Sequence, residues 1–339
     1  MIRFVGKKNI SHSRIRALLS ISELTNSYTN NGPVKKLLEE KLEGTLGLRD
    51  KRVLCFSNGT TALHGIMFLC QRKYNTKKWV TPAFTFPSAV VGNMFDVDIL
   101  DIDSNTATLP LDAKLLAPYD GIIITNLFGS YVDLKAWERF CHKYNKVLIF
   151  DNASSFLSKC DGINICNFGD YSFGSLHHTK YLGFGEGGFV IAPEEDYETL
   201  LQITNFGYDQ AKKYNRLSSN YKMSDVSAAY ILSQIENYDI DRHLDIQNKI
   251  IEKLSHNKKV EVFNYKEDTM YGNIPIIFDN EADKEVLSKQ SGVEVFKYYR
   301  PLKEMPEARR LYLKMINLPV YSTLSDNDVI QIVEGLQKI

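Results

Sequence analysis

The sequence predicts an α/β protein, with a large αβα domain built on a mostly parallel sheet over residues 1–235 and a smaller C-terminal α+β domain over residues 236–339. Two observations carry this. Short apolar runs alternate with helix-period segments through the first part of the chain. Between Gln234 and Asp241 an Ala-rich helical stretch then passes into a charged one, where the boundary is expected. A chain of 339 residues is long enough for one large and one smaller core.

Leu37, Leu38, Lys41 and Leu42 follow Gly32-Pro33 at helical spacing. Arg52 to Phe56 reads as a strand, and Ala62 to Cys70 as a helix burying Leu63, Ile66, Met67 and Cys70. Trp79-Val80-Thr81, Asp98 to Asp101 and Ile122 to Ile124 are further strands, the last leading into Asn126 and Gly129. Trp137 to Tyr144 looks helical, Val147 to Phe150 is a buried strand ending in Asp151, and Phe189 to Ala192 is a strand stopped by Pro193. In the C-terminal part, Ile274 to Phe278 and Val293 to Phe296 read as strands. Ser325 to Asp328 caps a final helix whose apolar face is Val329, Ile332, Val333 and Leu336.

Hydrophobic residues at 44% and charged ones at 24% describe an ordinary globular protein. Lys+Arg and Asp+Glu both number 41, so no bulk field draws the chain to nucleic acid or an anionic membrane, and an anionic substrate must be held locally. The cysteines (Cys55, Cys70, Cys141, Cys160, Cys166) are scattered without a C-x-x-C pair, which fits a reducing compartment. Met1 to Lys8 holds no apolar run of signal-peptide length, so a cytoplasmic location is expected.

The chemistry gathers between Gly169 and Gly188. There Ser175 precedes Lys180 by five residues, and Gly183-Phe184-Gly185-Glu186-Gly187-Gly188 follows. With Asp151 at the end of its strand, this is the set pyridoxal phosphate requires: an amine, a carboxylate for the pyridine nitrogen, and donors for the phosphate. Each piece also has a plain reading. A lone lysine near glycines is ordinarily a surface residue, a strand-end aspartate ordinarily makes a turn, and Phe86 unaided is core. The glycines also satisfy G-x-G-x-x-G, but a strand-like run follows where a dinucleotide site needs a helix, so they read as a tight turn. Ser57 to Thr61 lies between a strand and a helix and suits either a cap or an anion site; no Walker Gly-Lys-Ser/Thr follows. His177 and His178 diverge as neighbours and have no third ligand in spacing, so no metal is expected.

Taken in order, these segments resemble the DegT/DnrJ/EryC1/StrS family of sugar-nucleotide aminotransferases. Gly169 to Gly188 fits that family's "GD…fSFhatK…ttGEGG" without gaps, and Ser57 to Leu63 is similar to its SSGTAAL. Pro82 to Phe86, Asp151-Asn152-Ala153-Ser154 and Asn220-Tyr221-Lys222-Met223 fall at its P-x-x-T-aromatic, DAAQ/DAAH and N-Y-R-M stations. The resemblance implies an aspartate-aminotransferase-like fold (fold type I) and pyridoxal 5'-phosphate as cofactor. It implies Lys180 as the catalytic lysine, Asp151 on the pyridine nitrogen, Phe86 on the ring face and Ser154 near the ring. Ser175, Thr60 and Thr61 would bind the phosphate, with Asn220 reaching in from the partner subunit of a homodimer whose active sites are shared. The implied reaction carries an amino group from L-glutamate to C3 or C4 of a nucleoside-diphosphate keto-6-deoxy sugar, for surface polysaccharide such as lipopolysaccharide O-antigen, or for a glycoconjugate. Ser154, Asn58, Lys222 and Lys297 depart from the family pattern, which loosens the inference to a particular sugar. Other outcomes stay open: sugar dehydration or amination of a cyclic ketone with the same cofactor, a non-catalytic regulator, or an NAD-binding enzyme using the glycine turn.

Overall fold

A seven-stranded sheet brings the carboxyl ends of three of its parallel strands, at Thr125, Asp151 and Ser175, to one cavity. The computed structural model describes residues 1–92 and 94–337. Helices α1 (His12–Thr25) and α2 (Pro33–Leu46) precede β1 (Lys51–Phe56), α3 (Gly59–Tyr74), β2 (Lys78–Pro82) and β3 (Asp96–Leu100). Next come α4 (Ala113–Leu116), β4 (Gly121–Thr125), α5 (Leu134–Lys143), β5 (Val147–Asp151) and the small pair β6 (Lys159–Cys160) and β7 (Ile163–Asn164). The chain continues through β8 (Tyr171–Ser175), β9 (Gly188–Pro193), α6 (Tyr197–Thr204), α7 (Asp225–Glu236) and α8 (Ile240–Ser255). Strands β10 (Val260–Val262) and β11 (Ile274–Phe278) precede helices α9 (Lys284–Ser291) and α10 (Pro306–Lys314). Strand β12 (Met315–Leu318) and helix α11 (Asp326–Gln337) complete the described elements.

The large sheet runs β1-β9-β8-β5-β4-β2-β3. Every pairing from β8 to β3 is parallel, while β9 runs antiparallel to both β8 and β1. Strand β5 explains why both faces are covered. Ile149 points into a cluster with Ile66 and Leu69 of α3, whereas Leu148 and Phe150 point to the other face with Trp137 of α5. All three are at most 1% exposed, and burial of this kind contributes about 1.5–3 kcal/mol per side chain. An apolar run of four therefore ends by delivering the Asp151 carboxylate to the sheet edge.

The C-terminal elements build a second core around the antiparallel sheet β10-β11-β12, against α8 and α11. The N-terminus joins this core, since Ile2 pairs with Val293. Helix α11 starts as its sequence suggests: the Asp328 N–H donates to Ser325 Oγ (3.2 Å) and the Ser325 N–H to Asp328 Oδ2 (2.8 Å). Val329, Ile332, Val333 and Leu336 are its buried face.

One expected strand is absent. Val293 to Phe296 makes only single-residue bridges, Val293 to Ile2 and Phe296 to Asn317. It follows directly on Gly292, whose φ of +68° closes α9 in the left-handed region and turns the chain before a ladder can form. Among the described residues, no helix is long and apolar enough to cross a membrane.

Candidate active site

Asp151 and Lys180 line one cavity of ≈ 530 Å³, together with Thr60, Phe86, Ser154 and Ser175. Asp151 is 3% exposed, its Oδ1 accepts the Ala153 N–H at 2.9 Å, and Thr125 at the end of β4 lines the same cavity. Burial pushes its pKa up to about 6, against the pull of the Ala153 N–H, the Lys180 charge and the Thr125 hydroxyl. Burial also lowers Lys180 to about 8, with the Asp151 charge opposing that shift. Two opposite charges thus face the same space, each held at a disadvantage that a ligand could relieve.

The turn around Lys180 is built by its own backbone. The Lys180 N–H donates to the His177 carbonyl at 2.8 Å, and the Gly183 N–H returns to the Lys180 carbonyl at 3.0 Å. A Cβ at Gly183 would overlap the His177 and Leu176 carbonyl oxygens, so a glycine is required there. The side-chain amine of Lys180 donates to Ser154 Oγ at 2.6 Å.

The other end of the cavity is the start of α3. Asn58 caps it, its Oδ1 accepting the Thr61 N–H at 2.9 Å while Thr61 Oγ1 accepts the Asn58 N–H at 3.2 Å. The first intrahelical bond is from the Ala62 N–H to the Asn58 carbonyl (3.1 Å), so the Gly59 and Thr60 N–H groups precede it at the positive end of the helix dipole. Ser175, at the end of β8, packs beside them: a Cβ on Gly59 would stand 3.3 Å from that of Ser175. Gly188 makes the approach possible, since a Cβ there would overlap the Asn58 and Gly59 backbone. The donor set fits a planar heterocycle with an anionic tail: N–H groups and a hydroxyl at one end, a carboxylate at the other, an amine alongside.

Phe86 borders the cavity at 53% exposure, with the Tyr299 ring nearly perpendicular to it at 5.9 Å between ring centroids. Two expected residues are not brought into it. The Thr61 side chain is taken up by the α3 cap, bonding Asn58 and Ser57 instead. Asn220 is exposed and paired through its backbone with Asn205, outside the cavity of its own chain. Several lining residues escaped the sequence reading, among them Thr125, Phe4 and Tyr299. Thr125 carried a usable signal, as the last residue of a buried apolar strand. Phe4 and Tyr299 carried none, since only tertiary folding brings the chain's two ends to this place. Among the described residues, no three His, Cys, Asp or Glu side chains group as a metal ion would need.

Comparison with known proteins agrees with this geometry. Residues 10–337 match the DegT/DnrJ/EryC1/StrS aminotransferase family. The chain is 26% identical to a dTDP-4-amino-4,6-dideoxy-D-glucose transaminase of Shigella dysenteriae, over 92% of each chain. It is also 26% identical to the GDP-perosamine synthase of Escherichia coli O157:H7, over 83% of this chain and 84% of that one. In fold it is similar to a putative PLP-dependent aminotransferase from Bacillus cereus, with a TM-score of 0.87 over 99% of both chains at 22% identity.

Proposed function

Because the chain belongs to the DegT/DnrJ/EryC1/StrS aminotransferase family, whose cofactor is pyridoxal 5'-phosphate, we propose that it transfers an amino group from L-glutamate to a keto-6-deoxy sugar carried on a nucleoside diphosphate. The observation that carries the reading is the meeting of Lys180, Asp151 and Ser175 in one cavity at the start of α3. When bound, the cofactor supplies an electron sink for the carbon whose nitrogen is moved.

The chain's own residues do the rest. Gly59, Thr60 and Ser175 hold the phosphate by N–H and O–H donation at the helix terminus. The Asp151 carboxylate, ionised above about pH 6, keeps a proton on the ring nitrogen. Phe86 covers one ring face. Burial lowers the Lys180 amine to about 8, so it gives up its proton more readily than an ordinary lysine, and its Nζ could take a proton from one carbon and return it to another. The remaining space, lined by Phe4 and Tyr298, receives the sugar.

The chain works as a homodimer in the cytoplasm, on a route to surface polysaccharide or glycoconjugate. Asn220 supports the dimer, because an exposed side chain outside its own cavity is free to reach a partner's cofactor phosphate. Mixed dimers of Lys180→Ala and Asn220→Asp should then recover activity that neither parent shows; inactive mixtures with heterodimers present would remove Asn220 from the site. The reaction itself is tested by incubating the purified protein with glutamate and a panel of nucleotide-linked 3- and 4-keto-6-deoxy sugars. A gain of one amino group by mass spectrometry is expected for at least one of them, and sugar loss of water without amination would point to a dehydratase instead.

A further inference from the structure

Residues 2–11 run past the active-site cavity from one core to the other. At one end Ile2 bridges Val293 in the C-terminal core, and at the other the Ser11 N–H donates to Ser233 Oγ of α7 at 2.9 Å. Between these anchors the segment bears on the Lys180 turn. Lys8 Nζ donates to the Lys180 carbonyl at 2.6 Å, and the Asn9 N–H donates to Gln234 Oε1 at 2.9 Å. The same Gln234 side chain donates through Nε2 to the Tyr181 carbonyl at 3.1 Å. Two consecutive carbonyls of the turn are therefore held, one by Lys8 directly and one through Gln234. The Lys180 carbonyl also takes the Gly183 N–H at 3.0 Å, which closes the turn on itself, whereas Lys8 ties it to a distant part of the chain. Lys8 is half-buried, and burial lowers its amine to about 8. Placing an ammonium there costs free energy, which a bond from a charged donor to a carbonyl offsets in part.

We propose that Lys8 is a positioning residue, which by holding the Lys180 carbonyl fixes the backbone from which the Lys180 amine is aimed into the cavity. This rests on Lys180 being the reacting amine of the proposed function. A carbonyl free to turn would carry the Cα and side chain of its residue with it, and bond formation at an amine is sensitive to displacements of about 1 Å.

The test follows attachment of pyridoxal phosphate to full-length protein freed of cofactor. In that step the Lys180 nitrogen bonds the aldehyde carbon, and the aldehyde oxygen leaves as water. Samples are reduced with borohydride at timed intervals and the modified Lys180 peptide is quantified by mass spectrometry, with thermal unfolding confirming that each variant is folded. Lys8→Met keeps a long side chain and loses the donor, so attachment should slow about fivefold or more. Lys8→Gln serves the same comparison should Lys8→Met not fold. Lys8→Arg, which still offers a cationic donor, should recover most of the rate. A second measurement separates aiming of the amine from general loosening of the cavity. In a Lys180→Ala background, Lys8→Met should leave cofactor affinity by equilibrium dialysis unchanged, since no amine is left to aim. Wild-type rates in Lys8→Met, no recovery in Lys8→Arg, or a weaker affinity in the double variant overturns the proposal. Neither sugar nor glutamate enters these measurements, so failure of the proposed amino transfer would appear separately, with wild-type protein.

Discussion

At the Ser175 end of the cavity the groups aimed at a ligand are held mainly by backbone, in the strand-to-helix turn from Phe56 to Gly59 and the β8 and β9 strands beside it. At the Lys180 end they are side chains drawn from β5, the loop after it, the glycine turn and the C-terminal part of the chain. At the first end Asn58 and Thr61 cap each other and the helix proceeds without a ligand, with the Gly59 and Thr60 N–H groups left ahead of its first intrahelical bond. The second is under electrostatic tension, with a carboxylate pushed up to about 6 and an amine lowered to about 8 by burial. The anion end is thus a structural feature in its own right, whereas the amine end holds two charged groups at the expense of stability.

Mutations at the two ends should separate along that line. The largest effect is expected from Lys180→Ala, which should lower kcat at least about a thousandfold while leaving the fold intact, as checked by steady-state assay and thermal unfolding. Asp151→Asn should lower kcat about a hundredfold, because the ring nitrogen loses its counter-charge. The same variant should make the cofactor-free protein more stable at neutral pH, by up to about 3 kcal/mol. The sign follows from the raised carboxylate. Stability associated with Asp151 is present below its unfolded value near 4 and is lost as pH rises through about 6, so the gap between variant and wild type should open across that window in denaturant titrations. Equal stability at pH 4 and pH 7 would remove the tension from the amine end.

At the other end, Gly188→Ala should cost a few kcal/mol in denaturant unfolding, because its Cβ has nowhere to go but the Asn58–Gly59 backbone. The smallest effect is expected from Ser175→Ala, which should weaken cofactor affinity about tenfold by equilibrium dialysis with little change in the cofactor-free fold. A large loss of stability in Ser175→Ala would show that the anion end depends on its side chains after all.

The same contrast decides what could be read from the sequence. Backbone-built features are local and carry local signals: the apolar run of β5 ending in Asp151, the strand-turn-helix at Ser57 to Thr61, and the glycines after Lys180 all have the structure their pattern suggests. Even there, the pattern leaves the Thr61 side chain two uses, and in the structure it closes a capping box with Asn58. Strand β8 escaped notice since Gly174 and the serines around it weaken the strand pattern, and β12 because it follows α10 without a breaker. Val293 to Phe296 has a strand's composition but finds only single-residue partners. Tyr299 illustrates the limit: it lines the cavity from a stack with Phe128 that no spacing in the chain announces.

Peptide mapping after borohydride reduction asks whether the cavity holds pyridoxal phosphate with Lys180 as its covalent anchor. Protein loaded with the cofactor should absorb visible light, and reduction should leave a stable phosphopyridoxyl group on the peptide containing Lys180, with none on that peptide in Lys180→Ala. A reduced adduct on a different lysine, or wild-type protein that takes up no cofactor at all, would contradict the account.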